Sequence, residues 1–388
     1  MSKRSLCLIG FQITVAIISL SGLLTNADTL GSEWLKVDVR TSDSSRHVIE
    51  GLIKAEAVDG CVLLEQLDGE LHLLQPDIIV SRRKIPPPPP FASPQEMGQA
   101  ILGELPAGFN ILTTKHYILC FNTRRQYAQW IAALFERLHD SFINYWGRAG
   151  CKIETPKQPL VVIIFSDRQE YEQYATGDLA AISNQVVGYY NLLTNRVTTF
   201  DLTGLESLRP FAQSNNFKSV NLLQHPAAAK LVATLIHEGT HQMAFNCGLH
   251  QRLAPIPLWV CEGVATYFET PDLATQRGWH AIGGVNHPRR EQFLKRHKHG
   301  WLQHIVENDE SFRHPDAAIE AYAQAWATTA FLMKTKKRLF VRYLGDLSTK
   351  EACQPDTKEQ RIREFEQCFG TPDQNMEQDI AAFVTRMR

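Results

Sequence analysis

The sequence has almost no excess charge of either sign: 40 Lys and Arg face 41 Asp and Glu over 388 residues. A nucleic-acid binder needs a basic face that displaces counterions from phosphates, so nucleic acid is excluded as the expected partner. No CxxC pair occurs among the eight cysteines, which excludes a zinc ribbon built on cysteine. There is no internal repeat, and the one low-complexity stretch is Pro86 to Pro90. The apolar fraction of 44% is that of an ordinary globular chain. A chain of this length can bury a substantial core and divide into two or three domains.

The first 27 residues read as a leader. Lys3 and Arg4 make a basic start, Leu6 to Leu24 are predominantly apolar, and Thr25-Asn26-Ala27 offers small residues for cleavage after Ala27. The expectation is export to the periplasm or the extracellular space. The alternative is an uncleaved anchor helix, which Gln12, Thr14, Ser19 and Ser21 weaken. Cys7 leaves with the leader. Of the seven cysteines that remain, Cys353 and Cys368 flank a polar C-terminal segment and are the expected disulfide pair.

Between Val48 and Ser81, short apolar runs are separated by Asp59-Gly60 and Asp68-Gly69, dipeptides suited to tight hairpin turns. This predicts a small antiparallel barrel over 28–85, similar to SH3-like modules, that packs or tethers rather than carrying chemistry. The proline run in 86–92 makes a stiff spacer of roughly 15 Å at about 3.1 Å per residue. A mixed α/β part follows over 93–215, and a helical part over 216–388. Tyr127, Trp130, Ile131, Leu134, Leu138, Phe142 and Tyr145 form one apolar stripe of a long helix. Leu160 to Phe165 reads as a buried strand, and Val186 to Tyr190 with Arg196 to Asp201 as a hairpin. Helices are expected over Pro226 to Asn246, Leu258 to Glu269, Asp316 to Lys334 and Asn375 to Met387.

The chemistry concentrates in His237-Glu238-Gly239-Thr240-His241. Residues four apart on a helix lie about 40° apart in azimuth and about 6 Å apart in rise, so both imidazoles leave one face and can meet one ion. Glu238, one step along, is placed to take a proton from a water whose acidity a metal has raised. With twenty residues between it and His241, Glu262 sits one turn into a second amphipathic helix. Two histidines and one glutamate leave a fourth zinc position open, as a catalytic site requires. The other histidines, including His225, His250, His280 and His287, lack a partner at ligand spacing, and most are expected at the surface.

These two segments resemble the gluzincin metallopeptidases. Trp259, Glu262, Gly263, Ala265, Tyr267, Phe268 and Glu269 are similar to the second zinc helix of the zinc aminopeptidases, where the glutamate before the glycine is the third ligand. The arrangement also resembles bacterial peptidase-MA-like domains, some of them known only as domains of unknown function. The resemblance covers roughly 109–344 and implies an α+β, zincin-like fold behind the small barrel. It implies Zn2+ held by His237, His241 and Glu262, with Glu238 as the base. Tyr322, in Tyr322-Ala323-Gln324-Ala325-Trp326, resembles the aminopeptidase tyrosine that stabilises the oxyanion; a buried core tyrosine is the alternative. The Gly-x-Met-Glu-Asn element that binds a free amino terminus is absent, and Cys261 stands where those relatives have Asn. Glu269 or Thr266 is expected to orient a zinc-binding imidazole. Val187 to Asn191 is expected either to be an edge strand on which substrate adds as a β-strand or to be a plain core hairpin.

The leading expectation is an exported zinc metallopeptidase acting on a peptide or protein substrate. A cell-envelope binding protein is the second reading, with a structural zinc and a partner recognised by the barrel. A hydrolase of non-peptide amides or esters is the third.

Overall fold

Strict alternation builds the first sheet. In β1 (Trp34–Arg40), Leu35, Val37 and Val39 point inward while their neighbours face out. β2 (Arg46–Glu56), β3 (Val62–Glu65) and β4 (Leu71–Leu74) continue an antiparallel meander, and β5 (Ile79–Ile85) returns beside β1 after a 3-10 turn at Pro76–Ile78. The turns fall at Gly60 (φ 90°) and Gly69 (φ 88°), where the backbone needs the left-handed region. The strand order β4-β3-β2-β1-β5 leaves β4 and β5 as edges, so the expected barrel is an open sheet. One reason is that β4 is engaged elsewhere: the Leu71 N–H donates to the Leu193 carbonyl.

The computed structural model describes residues 33–40, 45–57, 59–179, 186–204, 226–270, 282–296 and 299–387. The leader with its cleavage point after Ala27, His225, His280 and the boundary at 215 lie outside these residues. Among the described residues, no helix is long and apolar enough to cross a membrane.

After α1 (Pro94–Leu102), the second sheet is mixed, in the order β6-β7-β8-β10-β9. β7 (Tyr117–Phe121) and β8 (Leu160–Phe165) are parallel and wholly buried, matching their continuous apolar sequence. Between them runs α2 (Arg125–Ala149), whose predicted stripe is buried except for the partly exposed Tyr145. β6 (Asn110–Thr113) flanks β7. α3 (Arg168–Leu179) precedes the hairpin β9 (Gly188–Asn191) and β10 (Arg196–Phe200), and β9 is the sheet's edge.

The described residues after β10 are mainly helical: α4 (Pro226–Asn246), α5 (Leu258–Phe268), α6 (His287–Arg296), α7 (Trp301–Glu307), a single turn at Glu310–Arg313, α8 (Pro315–Thr335), α9 (Lys337–Ser348), α10 (Lys358–Phe369) and α11 (Gln374–Arg386). The chain as a whole is α+β, with sheets first and helices after. One core joins the second sheet to the helices, and a smaller one fills the first sheet.

The disulfide expectation is corrected. Cys353 and Cys368 are both free, as are Cys61, Cys120, Cys151, Cys247 and Cys261. Cys353 lies in a loop whose N–H bonds to Leu253, whereas Cys368 lies in α10 with its sulfur beside Arg342.

Candidate metal centre

Two glycines let the motif helices come close. A Cβ at Gly239 would stand 2.5 Å from Leu138 Cδ2, so α4 lies tight on α2. At Gly263 it would stand 2.1 Å from Thr329 Oγ1 and 2.9 Å from the Ala325 carbonyl, so α5 lies equally tight on α8. The start of α5 has no cap of its own. Asp309 supplies one from a distance: its Oδ1 accepts from the Leu258 N–H at 3.0 Å while Arg361 grips both of its oxygens at 2.8 and 3.0 Å.

On these helices His237, His241 and Glu262 converge as expected, all buried. His237 Nε2 lies 3.0 Å from His241 Nε2 and 3.1 Å from Glu262 Oε2, and His241 Nε2 lies 3.4 Å from the same oxygen. Bonds of about 2.0 to 2.1 Å at a tetrahedral angle set ligand atoms roughly 3.3 Å apart. The donor set and its spacing therefore fit a zinc-sized cation.

Behind His237, Glu269 Oε1 lies 2.8 Å from Nδ1 and so leaves Nε2 as the nitrogen that faces His241 and Glu262. Thr266 does not share this role: its hydroxyl bonds the Glu262 and Gly263 carbonyls of its own helix. Burial works against a charged His237, but Glu262 and Glu269 on either side raise it to about 10 in the metal-free protein. Burial likewise opposes ionisation of Glu269, and Arg289 with His237 outweighs it, taking the carboxyl down to about 2.

Glu238 is buried beside the group, and its Oε2 accepts the Tyr190 N–H at 2.9 Å. Burial raises it to about 8, against the pull of His237 and the Tyr190 N–H and with repulsion from Glu262 and Glu269. The edge strand β9 is thus part of the centre, through its main chain. Tyr322 is buried on α8 with its ring 6.1 Å from the His237 ring, so the fold brings it to the same place. Cys261 is buried in the core and is not one of the converging ligands.

A family model described as "Protein of unknown function (DUF1570)" matches residues 231–354. No curated protein matches the chain. The stretch matched by DUF1570 contains His237, Glu238, His241, Glu262, Glu269 and Tyr322, whereas Tyr190 lies outside it.

Several polar groupings have no local signature in the sequence. His250, expected among the surface histidines, is buried between α4 and α5, its Nδ1 on the Leu249 carbonyl and its ring against Phe245. His287 is exposed as expected. His116, His139 and Asp140 also gather, but the two rings stack at 3.6 Å with planes 13° apart. Lone pairs in parallel planes do not converge on one ion, so this is a packing pair. Asp68, Glu70 and Glu104 gather around the buried Arg196 guanidinium, which already occupies their centre.

Proposed function

We propose that this chain is an exported zinc metallopeptidase of the gluzincin type, zincin-like in its second sheet and zinc helices, with an SH3-like module in front. The observation that carries this reading is the convergence of His237, His241 and Glu262 with a buried carboxylate, Glu238, beside them. A purely structural zinc site has no use for such a base. When bound, zinc supplies a Lewis acid that acidifies water and polarises a carbonyl.

The chain's own residues do the rest. Glu238 is fixed at Oε2 by the Tyr190 N–H, and its carboxylate takes a proton from the attacking water. As the peptide C–N bond breaks, Glu238 passes that proton to the leaving amine. Tyr322 donates its hydroxyl to the oxygen on which charge develops. A peptide added along the edge of β9 would have its main chain beside these groups, and the Tyr190 N–H, already used by Glu238, would not be among its partners. The alternation of edge groups along a strand makes Gly188 the next position facing the same way.

Metal content and turnover of a quenched peptide library test this on the full chain. The expectation is about one zinc per molecule, lost in His241→Ala and in Glu262→Ala. Glu238→Gln should keep its zinc while turnover falls by about 10² to 10⁴, the range for a general base. A zinc-loaded protein that cleaves no peptide but hydrolyses simple esters or amides would move the substrate class. Normal turnover in Glu238→Gln would remove the base assignment.

A further inference from the structure

Glu269 holds His237 Nδ1, and Arg289 of α6 holds Glu269. The guanidinium grips the carboxylate twice, Nη2 to Oε1 at 3.0 Å and Nε to Oε2 at 3.3 Å, and Asn286 Nδ2 adds a bond to Oε2 at 2.8 Å. Asn286 is itself buried, bonding the Thr266 carbonyl and accepting the Arg289 N–H through its side-chain oxygen. The fork fixes the plane of the carboxylate, which a lysine ammonium cannot do. The same guanidinium lies over the Tyr322 ring, its carbon 5.3 Å from the centroid, within cation–π range. The Arg289 side chain is only 13% exposed, so water does not readily replace either contact. One planar cation on α6 therefore touches the end of α5 and the face of α8.

We propose that Arg289 is a positioning residue for both halves of the centre: through Glu269 it fixes the ring of His237, and by stacking it fixes the ring of Tyr322. The inference rests on the metallopeptidase reading. It predicts two separable defects when the fork is lost, one in metal retention and one in turnover at full metal occupancy.

The test uses the full chain, with zinc affinity from competition against a chromophoric chelator and kcat and KM on the best peptide from the library. Arg289→Met should weaken zinc binding by about 10-fold to 100-fold, the usual effect of losing a partner behind a ligand. At saturating zinc, kcat should fall about tenfold with KM little changed. Arg289→Lys, which keeps charge and stem, should recover only part of each loss, and it carries the test if the Met variant does not fold. Two double variants read the route. Arg289→Met added to Glu269→Gln should cost little further zinc affinity, and added to Tyr322→Phe little further kcat. Additive losses in both cycles, or zinc affinity and kcat unchanged in Arg289→Met, would overturn the proposal. Failure of the wild-type chain to bind zinc would instead sink the metallopeptidase reading, so the two failures are distinguishable.

Discussion

At the scale of single residues, the metal-free centre has a proton where the proposed cation would sit. His237 is flanked by Glu262 and Glu269, and its folded value of about 10 lies well above the ordinary 6.5. A raised histidine contributes stability that is full below pH 6.5 and is lost as pH climbs toward 10. Glu238, raised to about 8, acts in the same direction, since its protonated form is favoured in the folded state and the advantage fades as pH rises from 4.5 to 8. Glu269 acts oppositely: held near 2, its contribution is present above 4.5 and is lost only as pH falls toward 2. Chelator-treated protein should therefore lose stability between pH 6 and pH 9, by up to about 6 kcal/mol, since a tenfold change in a proton's affinity is worth about 1.4 kcal/mol. On the proposed reading zinc displaces the proton from His237, so the zinc-saturated protein should not show this decline, and the gap in melting temperature should widen toward pH 9. Differential scanning fluorimetry of both forms across this range checks it. A chelated form that grows more stable toward pH 9 would mean that the two carboxylates do not face His237 as described.

At the scale of elements, the helices are held in place by close approach as much as by apolar stripes. Gly263 follows the proposed ligand Glu262, and the space for its Cβ is taken by Thr329 and the Ala325 carbonyl. On an open helix, Gly→Ala stabilises by up to about 1 kcal/mol. Here the sign should reverse: Gly263→Ala should destabilise by about 1 to 3 kcal/mol, the range for overpacking, and weaken zinc binding by moving Glu262. Adding Thr329→Ala should restore part of the loss, read from the urea midpoint. A Gly263→Ala variant as stable as the wild type would show that α5 and α8 are free to separate. These elements also mark what the sequence discloses. α2 was legible because a 3.6 period runs through it, whereas α5, the middle of α8 and β10 are buried on every face and were legible from the length and apolar content of their runs. The convergence of His237 and His241 was legible because i, i+4 spacing is itself geometry. Asn286 and Arg289 were not, because their meaning comes from contacts between the end of α5 and the start of α6 that no local period encodes. The choice of Glu269 over Thr266 needed the helix end, where the side chain turns toward His237 instead of back onto its own backbone. The open first sheet and the free Cys353 and Cys368 likewise depend on what each segment packs against, not on spacing along the chain.

At the scale of the whole molecule, the first sheet is tied to the second by more than the proline spacer. Arg196 of β10, only 3% exposed, bonds Asp68 at 2.8 Å and Glu70 at 3.3 Å on the turn between β3 and β4, and Glu104 at 2.6 Å beyond α1. Arg252 adds bonds to Glu65 and to the Gly69 carbonyl, and Gln158 reaches the Leu67 carbonyl. These contacts and the Leu71–Leu193 bond all meet the β9–β10 hairpin or its surroundings, and Tyr190 of that hairpin is what positions Glu238. The small sheet therefore braces the strand that holds the proposed base. Removing one side of a buried ion cluster costs about 3 to 5 kcal/mol, because the opposing charges stay behind. Glu104, 46% exposed, can turn to water, which places Arg196→Met toward the lower figure. The variant should show a lowered denaturation midpoint and earlier protease cleavage within the spacer at 86–92. Zinc content should stay normal, since all three proposed ligands lie on α4 and α5, while turnover falls as the hairpin loosens. Substituting Asp68→Asn and Glu70→Gln together, which removes the repulsion left when the arginine is lost, should bring back part of the stability of Arg196→Met. A midpoint within about 0.5 kcal/mol of wild type, the spread of ordinary surface changes, would mean the first sheet hangs on its spacer alone and does not brace the hairpin.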